Sequence, residues 1–175
     1  GALGQILCPW ANTIGAEIIG TVGSKEKEEI AKKNGCQHVI NYTDKNFVEE
    51  VEKIFGKNEI DVVYDGVGLK TFEGSIEVLK IRGMMVAFGN ASGYVDTIDV
   101  KKHINAKGLF FTRPSIAHYT IEREELLESA KKVFDAVLTG KFKIEISKKY
   151  SLDQVKQAHE DLEGRLLTGP AVIKP

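Results

Sequence analysis

Three groups of residues in this 175-residue chain have the types and spacing to do chemistry. Gly1-Ala2-Leu3-Gly4 opens a helical stretch, and a glycine turn at a helix N-terminus offers backbone N–H groups and a positive dipole end to a pyrophosphate. The β-branched run Glu17–Val22 leads into Gly23-Ser24-Lys25-Glu26-Lys27, with no acid at the strand tip to accept from a ribose 2′-hydroxyl. A hydroxyl and two ammonium groups there suit a 2′-phosphate. Asp65-Gly66-Val67-Gly68, Phe88-Gly89-Asn90 and Phe111-Thr112-Arg113-Pro114 end three further strands, and glycine at such ends lets backbone approach a flat ring. Taken alone, the first four residues fit an ordinary loop, and Ser24 fits a plain N-cap. Three such strand ends in succession, all at the carboxyl edge, favour a bound dinucleotide.

The elements that would position these residues alternate. Residues 25–34 read as a helix, with Glu28/Lys32 and Glu29/Lys33 at i,i+4 and Gly35 to close it. Residues 38–42 and 60–64 read as strands, with a helix between them capped by Asn46 and presenting Phe47, Val51, Ile54 and Phe55 on one face. A helix is expected over 70–80 and strands over 84–88 and 107–111. A long helix over 121–139 carries a wide apolar stripe that includes Leu126, Leu127, Phe134 and Leu138. Ile144–Ser147 alternates as a half-buried strand should, Ser151 caps a last helix, and residues 171–173 form the last strand. Short apolar strands separated by amphipathic helices require parallel pairing with right-handed crossovers. The fold class is therefore α/β, a Rossmann-type doubly wound parallel sheet.

Composition narrows the function. With 24 Lys+Arg against 25 Asp+Glu the formal net charge is −1, which gives no electrostatic reason to expect nucleic-acid or membrane-surface binding. No apolar run approaches the length of a membrane span. Cys8 and Cys36 lie in separate segments and are expected to have no second thiol nearby, so they read as buried free thiols of a reducing, cytoplasmic compartment. The four histidines show no i,i+4 pairing, so no local zinc motif is present.

The motifs G-A-L-G, C-P-W-A, G-T-V-G-S-K-E-K, V-I-N-Y, V-V-Y-D-G-V-G, F-G-N-A-S-G, T-R-P-S and Y-S-L-D-Q-V-K-Q-A-H-E-D-L-E-G-R together run the length of the chain. In them the sequence resembles the quinone oxidoreductase (zeta-crystallin-like) branch of the medium-chain dehydrogenase/reductase superfamily. That resemblance implies an NADPH-dependent, zinc-independent reductase passing hydride to a quinone or conjugated carbonyl, and a homodimer formed through the sheet edge near residues 107–116. It implies that Gly1, Ala2, Leu3 and Gly4 meet the pyrophosphate, and that Ser24, Lys27 and Tyr42 surround the 2′-phosphate and adenine. It places Gly66 near the ribose, Phe88, Gly89, Phe111 and Thr112 around the nicotinamide, and Arg165 near the cofactor cleft. It also implies that residues 1–143 are an NADP-binding domain whose first strand precedes residue 1. Residues 144–175 would then return to pack on a β-rich (GroES-like) catalytic domain outside this chain.

Three positions depart from the family pattern. Ala2 replaces a glycine, Gly66 replaces a small hydroxyl residue, and Pro9 lies inside the first expected helix, where it is expected to kink or weaken it. Three other readings stay open: an enoyl reductase of the same superfamily, a non-catalytic, crystallin-like NADPH-binding module, and, on fold alone, a SAM-dependent methyltransferase, although residues 20–27 offer no acid at its ribose position. A short-chain dehydrogenase is disfavoured because no Tyr-x-x-x-Lys occurs.

Overall fold

The computed structural model describes residues 1–164 and 166–175. They group into two compact units, one formed by Gly1–Lys45 with Glu128–Pro175 and the other by Asn46–Leu127. In chain order the first unit opens with α1 (Gly4–Thr13), β1 (Ile19–Val22), α2 (Lys25–Lys33) and β2 (His38–Asn41). The second contains α3 (Phe47–Phe55), β3 (Ile60–Asp65), α4 (Phe72–Val78), β4 (Leu79–Ala87), a π-helix over Val100–Asn105, β5 (Phe110–Thr112) and α5 (Ile116–Tyr119). The helix α6 (Arg123–Leu138) runs across the boundary, and β6 (Lys148–Ser151), α7 (Val155–Glu163) and β7 (Ala171–Lys174) complete the first unit.

All strand pairing is parallel among the described residues: β1 with β2, β3 with β4 and β4 with β5, and β6 with β7. Each parallel pair is separated by a helical crossover, as the alternation of apolar runs and amphipathic periods requires. Local signals set most of the boundaries. Ser24 Oγ accepts from the Lys27 N–H at 3.3 Å, and Asn46 Oδ1 accepts from the Val48 N–H at 3.0 Å, so each side chain caps its helix. Ser151 and Gln154 form a reciprocal capping box ahead of α7.

The core of the second unit is Phe72, Ile76, Leu79, Met85 and Leu109. Burying side chains of this size contributes about 1.5–3 kcal/mol each, before chain entropy is subtracted. Lys107 supports this core from its rim. Its Nζ donates to Asn58 Oδ1 at 2.8 Å and to the carbonyls of Ile76, Glu77 and Leu79 at 3.2, 2.6 and 2.7 Å. These are carbonyls that the end of α4 leaves without helical partners. Lys107→Met keeps the stem and removes the donors, and is expected to cost about 2 kcal/mol, the scale of hydrogen bonds to a charged group. Chemical denaturation of wild type and variant measures it.

The first unit holds the C-terminal segment against its opening helices. Trp10 stacks on Phe142 with ring centroids 5.7 Å apart, and Gln5 Nε2 donates to the Thr168 carbonyl at 2.8 Å. Asp161, only 4% exposed, accepts from Lys148 Nζ and Tyr150 Oη at 2.5 Å each, and from Gln157 Nε2 at 2.8 Å. Those donors, Lys148 foremost, hold its carboxyl down at about 2, below the ordinary 3.8. A depressed carboxylate stabilises the fold above the unfolded value and loses that contribution as pH falls through the folded one. The packing of β6 against α7 is therefore expected to loosen between about pH 4 and pH 2, read by near-ultraviolet circular dichroism. Asp161→Asn should flatten that acid limb.

Three expectations need correction. The helix expected over 70–80 is confined to Phe72–Val78, and β4 begins at Leu79 rather than Met84, because the register shifts between Ile60 and Val62 and Arg82 takes a φ of 60° ahead of buried Gly83. The strand expected at Ile144–Ser147 is displaced to Lys148–Ser151, where Lys148 and Tyr150 both reach Asp161. Pro9 lies inside α1, which runs from Gly4 to Thr13. The ring forfeits only the bond that an N–H at residue 9 would make to the Gln5 carbonyl. On α6 only Ala136 is buried, while Leu126, Leu127, Phe134 and Leu138 are exposed. No helix among the described residues is long and apolar enough to cross a membrane.

Candidate functional site

The sequence-derived residues fall into both units, and each unit has its own concave surface. In the first, α1, β1 and α2 enclose a cavity of about 100 Å³ whose lining includes Gly1, Gly4, Thr21 and Lys27. The first turn of α1 carries no acidic residue and no side-chain cap; the Gln5, Ile6 and Leu7 N–H groups already bond to the Gly1 and Leu3 carbonyls, so what the turn offers an anion is its dipole and the N–H groups that precede Gln5. Lys27 brings a cation to the same space. Ser24 lies one turn before Lys27 and accepts from its N–H, yet a serine hydroxyl that accepts still has its own hydrogen to donate. Tyr42 closes this edge, with its hydroxyl 2.8 Å from where a Cβ on Gly23 would stand. Gly1, Gly4 and Lys27 line one cavity, Ser24 is tied to Lys27 and Tyr42 packs on Gly23, while Ala2 and Leu3 are outside the lining and exposed. No protein atom lies within 4 Å of a Cβ built on Gly1 or Gly4, so packing within the chain does not demand glycine there.

In the second unit the carboxyl ends of β3, β4 and β5 frame a cavity of about 290 Å³ lined by Asp65, Gly68, Gly89, Tyr94, Phe111 and Arg113 among others. Gly66, Phe88 and Gly89 meet here. A Cβ on Gly66 would lie 2.8 Å from the Phe88 ring, and a Cβ on Gly89 would collide with the Gly66 backbone. The collision explains Gly89: two strand ends approach too closely for any side chain. It also gives the Gly66 departure a physical reason, since a hydroxyl residue at 66 would meet the Phe88 ring. Thr112 pairs with Val86 at the end of β5.

Asp65 holds this strand end together. Buried at 5% exposure, its Oδ1 accepts from the N–H groups of Val67 and Gly68 at 2.8 and 3.0 Å, while the Thr71 hydroxyl donates at 2.9 Å and Ser75 Oγ reaches Oδ2 at 2.9 Å. The carboxylate thereby fixes the turn that carries Gly66 and starts α4.

Two features were missed in the sequence. Arg113 Nη1 donates to the carbonyls of Ala87 and Gly89 at 2.7 and 3.2 Å, tying the ends of β4 and β5; the Arg-Pro step after a strand end was its available signal. Cys36 Sγ lies 3.3 Å from Cys8 Sγ, which corrects the expectation that neither thiol has another nearby. A separation of 28 residues gives no local pattern to find it by. Arg165 lies outside the described residues. Among the described residues no group of three or more His, Cys, Asp or Glu is arranged to hold a metal ion.

Comparison with known proteins places this geometry. Residues 2–139 match the family model described as zinc-binding dehydrogenase. The chain is 42% identical over 176 residues to a 2-haloacrylate reductase of Burkholderia sp, and 41% identical over 178 residues to quinone oxidoreductase 1 of Escherichia coli (strain K12). In each case all of the chain aligns, to 53% and 54% of the relative, so the chain spans about half the length of the curated relatives it matches. A crystal structure of Escherichia coli quinone oxidoreductase complexed with NADPH superposes with a TM-score of 0.95 at 40% identity, covering 100% of this chain and 54% of that one. The chain belongs to the zinc-binding dehydrogenase family of the medium-chain dehydrogenase/reductase superfamily, where it is similar along its whole length to the quinone oxidoreductases.

Proposed function

We propose that the full-length protein is a cytoplasmic, homodimeric, zinc-independent reductase that passes hydride from NADPH to a quinone or conjugated carbonyl. One observation carries this reading: Lys27 shares a cavity with the uncapped first turn of α1, and no acid ends β1. A pyrophosphate and a 2′-phosphate both call for such a cationic, donor-rich surface, and a carboxylate at the strand tip would repel the latter. The NADPH-complexed Escherichia coli structure supports the same choice of cofactor.

In this reading Gly1, Ala2, Leu3 and Gly4 present backbone N–H groups to the pyrophosphate, and Ser24, Lys27 and Tyr42 hold the 2′-phosphate and adenine. Gly66 lies toward the ribose, Phe88, Gly89, Phe111 and Thr112 toward the nicotinamide, and Arg165 toward the cofactor cleft. The chemistry bound NADPH supplies is hydride donation. The chain contributes orientation, through strand ends locked by Asp65, Arg113 and the Gly66–Gly89 approach. The oxyanion that hydride transfer leaves on a quinone takes its one proton from solvent, and no acid–base residue of this chain is assigned. Residues 1–143 form the cofactor domain and 144–175 return to a β-rich catalytic domain; exposed Phe110 and Ile116, on and beside β5, suit a subunit contact near residues 107–116.

The test is steady-state oxidation of NADPH by full-length protein, free of added zinc, with a benzoquinone as acceptor. Saturable turnover supports the reading. Binding of NADPH without turnover of any conjugated acceptor moves the non-catalytic, crystallin-like reading ahead. A second enzymatic reading has its own support in the Burkholderia relative, named for reduction of a haloacrylate. Turnover of an activated alkene, such as a haloacrylate or an enoyl thioester, but not of quinones would favour it.

A further inference from the structure

Cys8, in the second turn of α1, and Cys36, just before β2, bring their sulfurs to 3.3 Å, with the Cys36 thiol donating to Cys8. Both are free thiols; Cys36 is buried, Cys8 is half-buried, and both line the 100 Å³ cavity. The backbone makes room for the pair. A Cβ on Gly20 of β1 would lie 2.9 Å from Cys36 Sγ, so glycine at that position leaves the space the sulfur occupies. The sulfurs need to close only slightly more than 1 Å to reach a disulfide bond length of about 2.05 Å.

We propose that Cys8 and Cys36 are a redox-active dithiol, in which Cys8 attacks a hydroperoxide and Cys36 resolves the product to an intramolecular disulfide. The Cys8 thiolate displaces hydroxide or alkoxide from the peroxide O–O bond, giving Cys8 sulfenic acid; sulfur loses two electrons and the peroxide gains them. Cys36 sulfur then attacks Cys8 sulfur, the S–O bond breaks, and water leaves with the Cys36 proton. The division of roles follows the hydrogen bond. As its acceptor, Cys8 is held down at about 7, while the same bond, and then burial, push the Cys36 thiol up. Cys8 is also the less buried of the two. The bond would tie α1 to the β1–β2 sheet beside the cavity, and this chemistry stands whether or not the cofactor reading does.

The experiment treats full-length folded protein with one equivalent of hydrogen peroxide, followed by acid quench, alkylation and peptide mapping. The expected result is loss of two alkylatable thiols and a Cys8–Cys36 linked peptide, reversed by dithiothreitol. Cys36→Ser should stop the reaction at a Cys8 sulfenic acid trapped by dimedone, and Cys8→Ser should leave Cys36 alkylatable. Both thiols remaining alkylatable in the treated wild-type protein would overturn the proposal. So would stable wild-type Cys8 sulfenic acid without linkage, a result that does not depend on either variant folding.

Discussion

Full-length protein carrying Lys27→Glu is expected to lose roughly tenfold to a hundredfold in affinity for NADPH, with little change for NADH. The magnitude follows from removing a charge-assisted contact worth about 1.5–3 kcal/mol, where each 1.4 kcal/mol is tenfold. The half-exposed setting of Lys27 argues for the lower part of that range, because solvent screens its charge. NADH lacks the 2′-phosphate, so the same substitution removes nothing comparable from it. Fluorescence titration with both nucleotides measures the pair of constants. Equal losses would mean that Lys27 acts on the fold or the pyrophosphate rather than on the 2′-phosphate.

Asp65→Ala is expected to have the largest effect on stability, about 3–5 kcal/mol. Its buried carboxylate satisfies two backbone N–H groups and two hydroxyls, and leaving a buried donor unpaired costs about 1–3 kcal/mol per group. Thr71 and Ser75 recover part of the loss by turning their hydroxyls, but the Val67 and Gly68 N–H groups have fixed directions. Urea denaturation should show a lower midpoint with an unchanged slope. A loss below about 1 kcal/mol would mean that water replaces the carboxylate, and that the turn carrying Gly66 does not depend on it.

Local chemistry made much of the fold legible. Ser24, Asn46 and Ser151 start helices where their hydrogen-bonding side chains say they should, and Gly35, with a φ of 89°, closes α2. Failures came where long-range contacts outweighed local pattern. Ile144 and Ile146 alternate correctly for a strand, yet the strand formed at Lys148–Ser151, where a buried carboxylate collects Lys148 and Tyr150. The early start of β4 depends on a positive-φ Arg82, a conformation no propensity scale assigns to arginine. The α6 periodicity defined an apolar face but carried no information about what covers it. At the candidate site, glycine positions pointed to the strand ends, and the structure gave the reason for Gly89 in the backbone of Gly66. The Cys8–Cys36 contact spans α1, β1 and α2 and exists only after they fold.

In the proposed function, the surface around the start of α1 and Lys27 selects a 2′-phosphorylated dinucleotide. Titrating the intact, mass-verified protein with NADPH and with NADH tests it most directly. Tight binding of NADPH is expected, with binding of NADH weaker by at least about tenfold, the equivalent of one charge-assisted contact. Equal affinity for the two, or no binding of either by folded full-length protein, would contradict it.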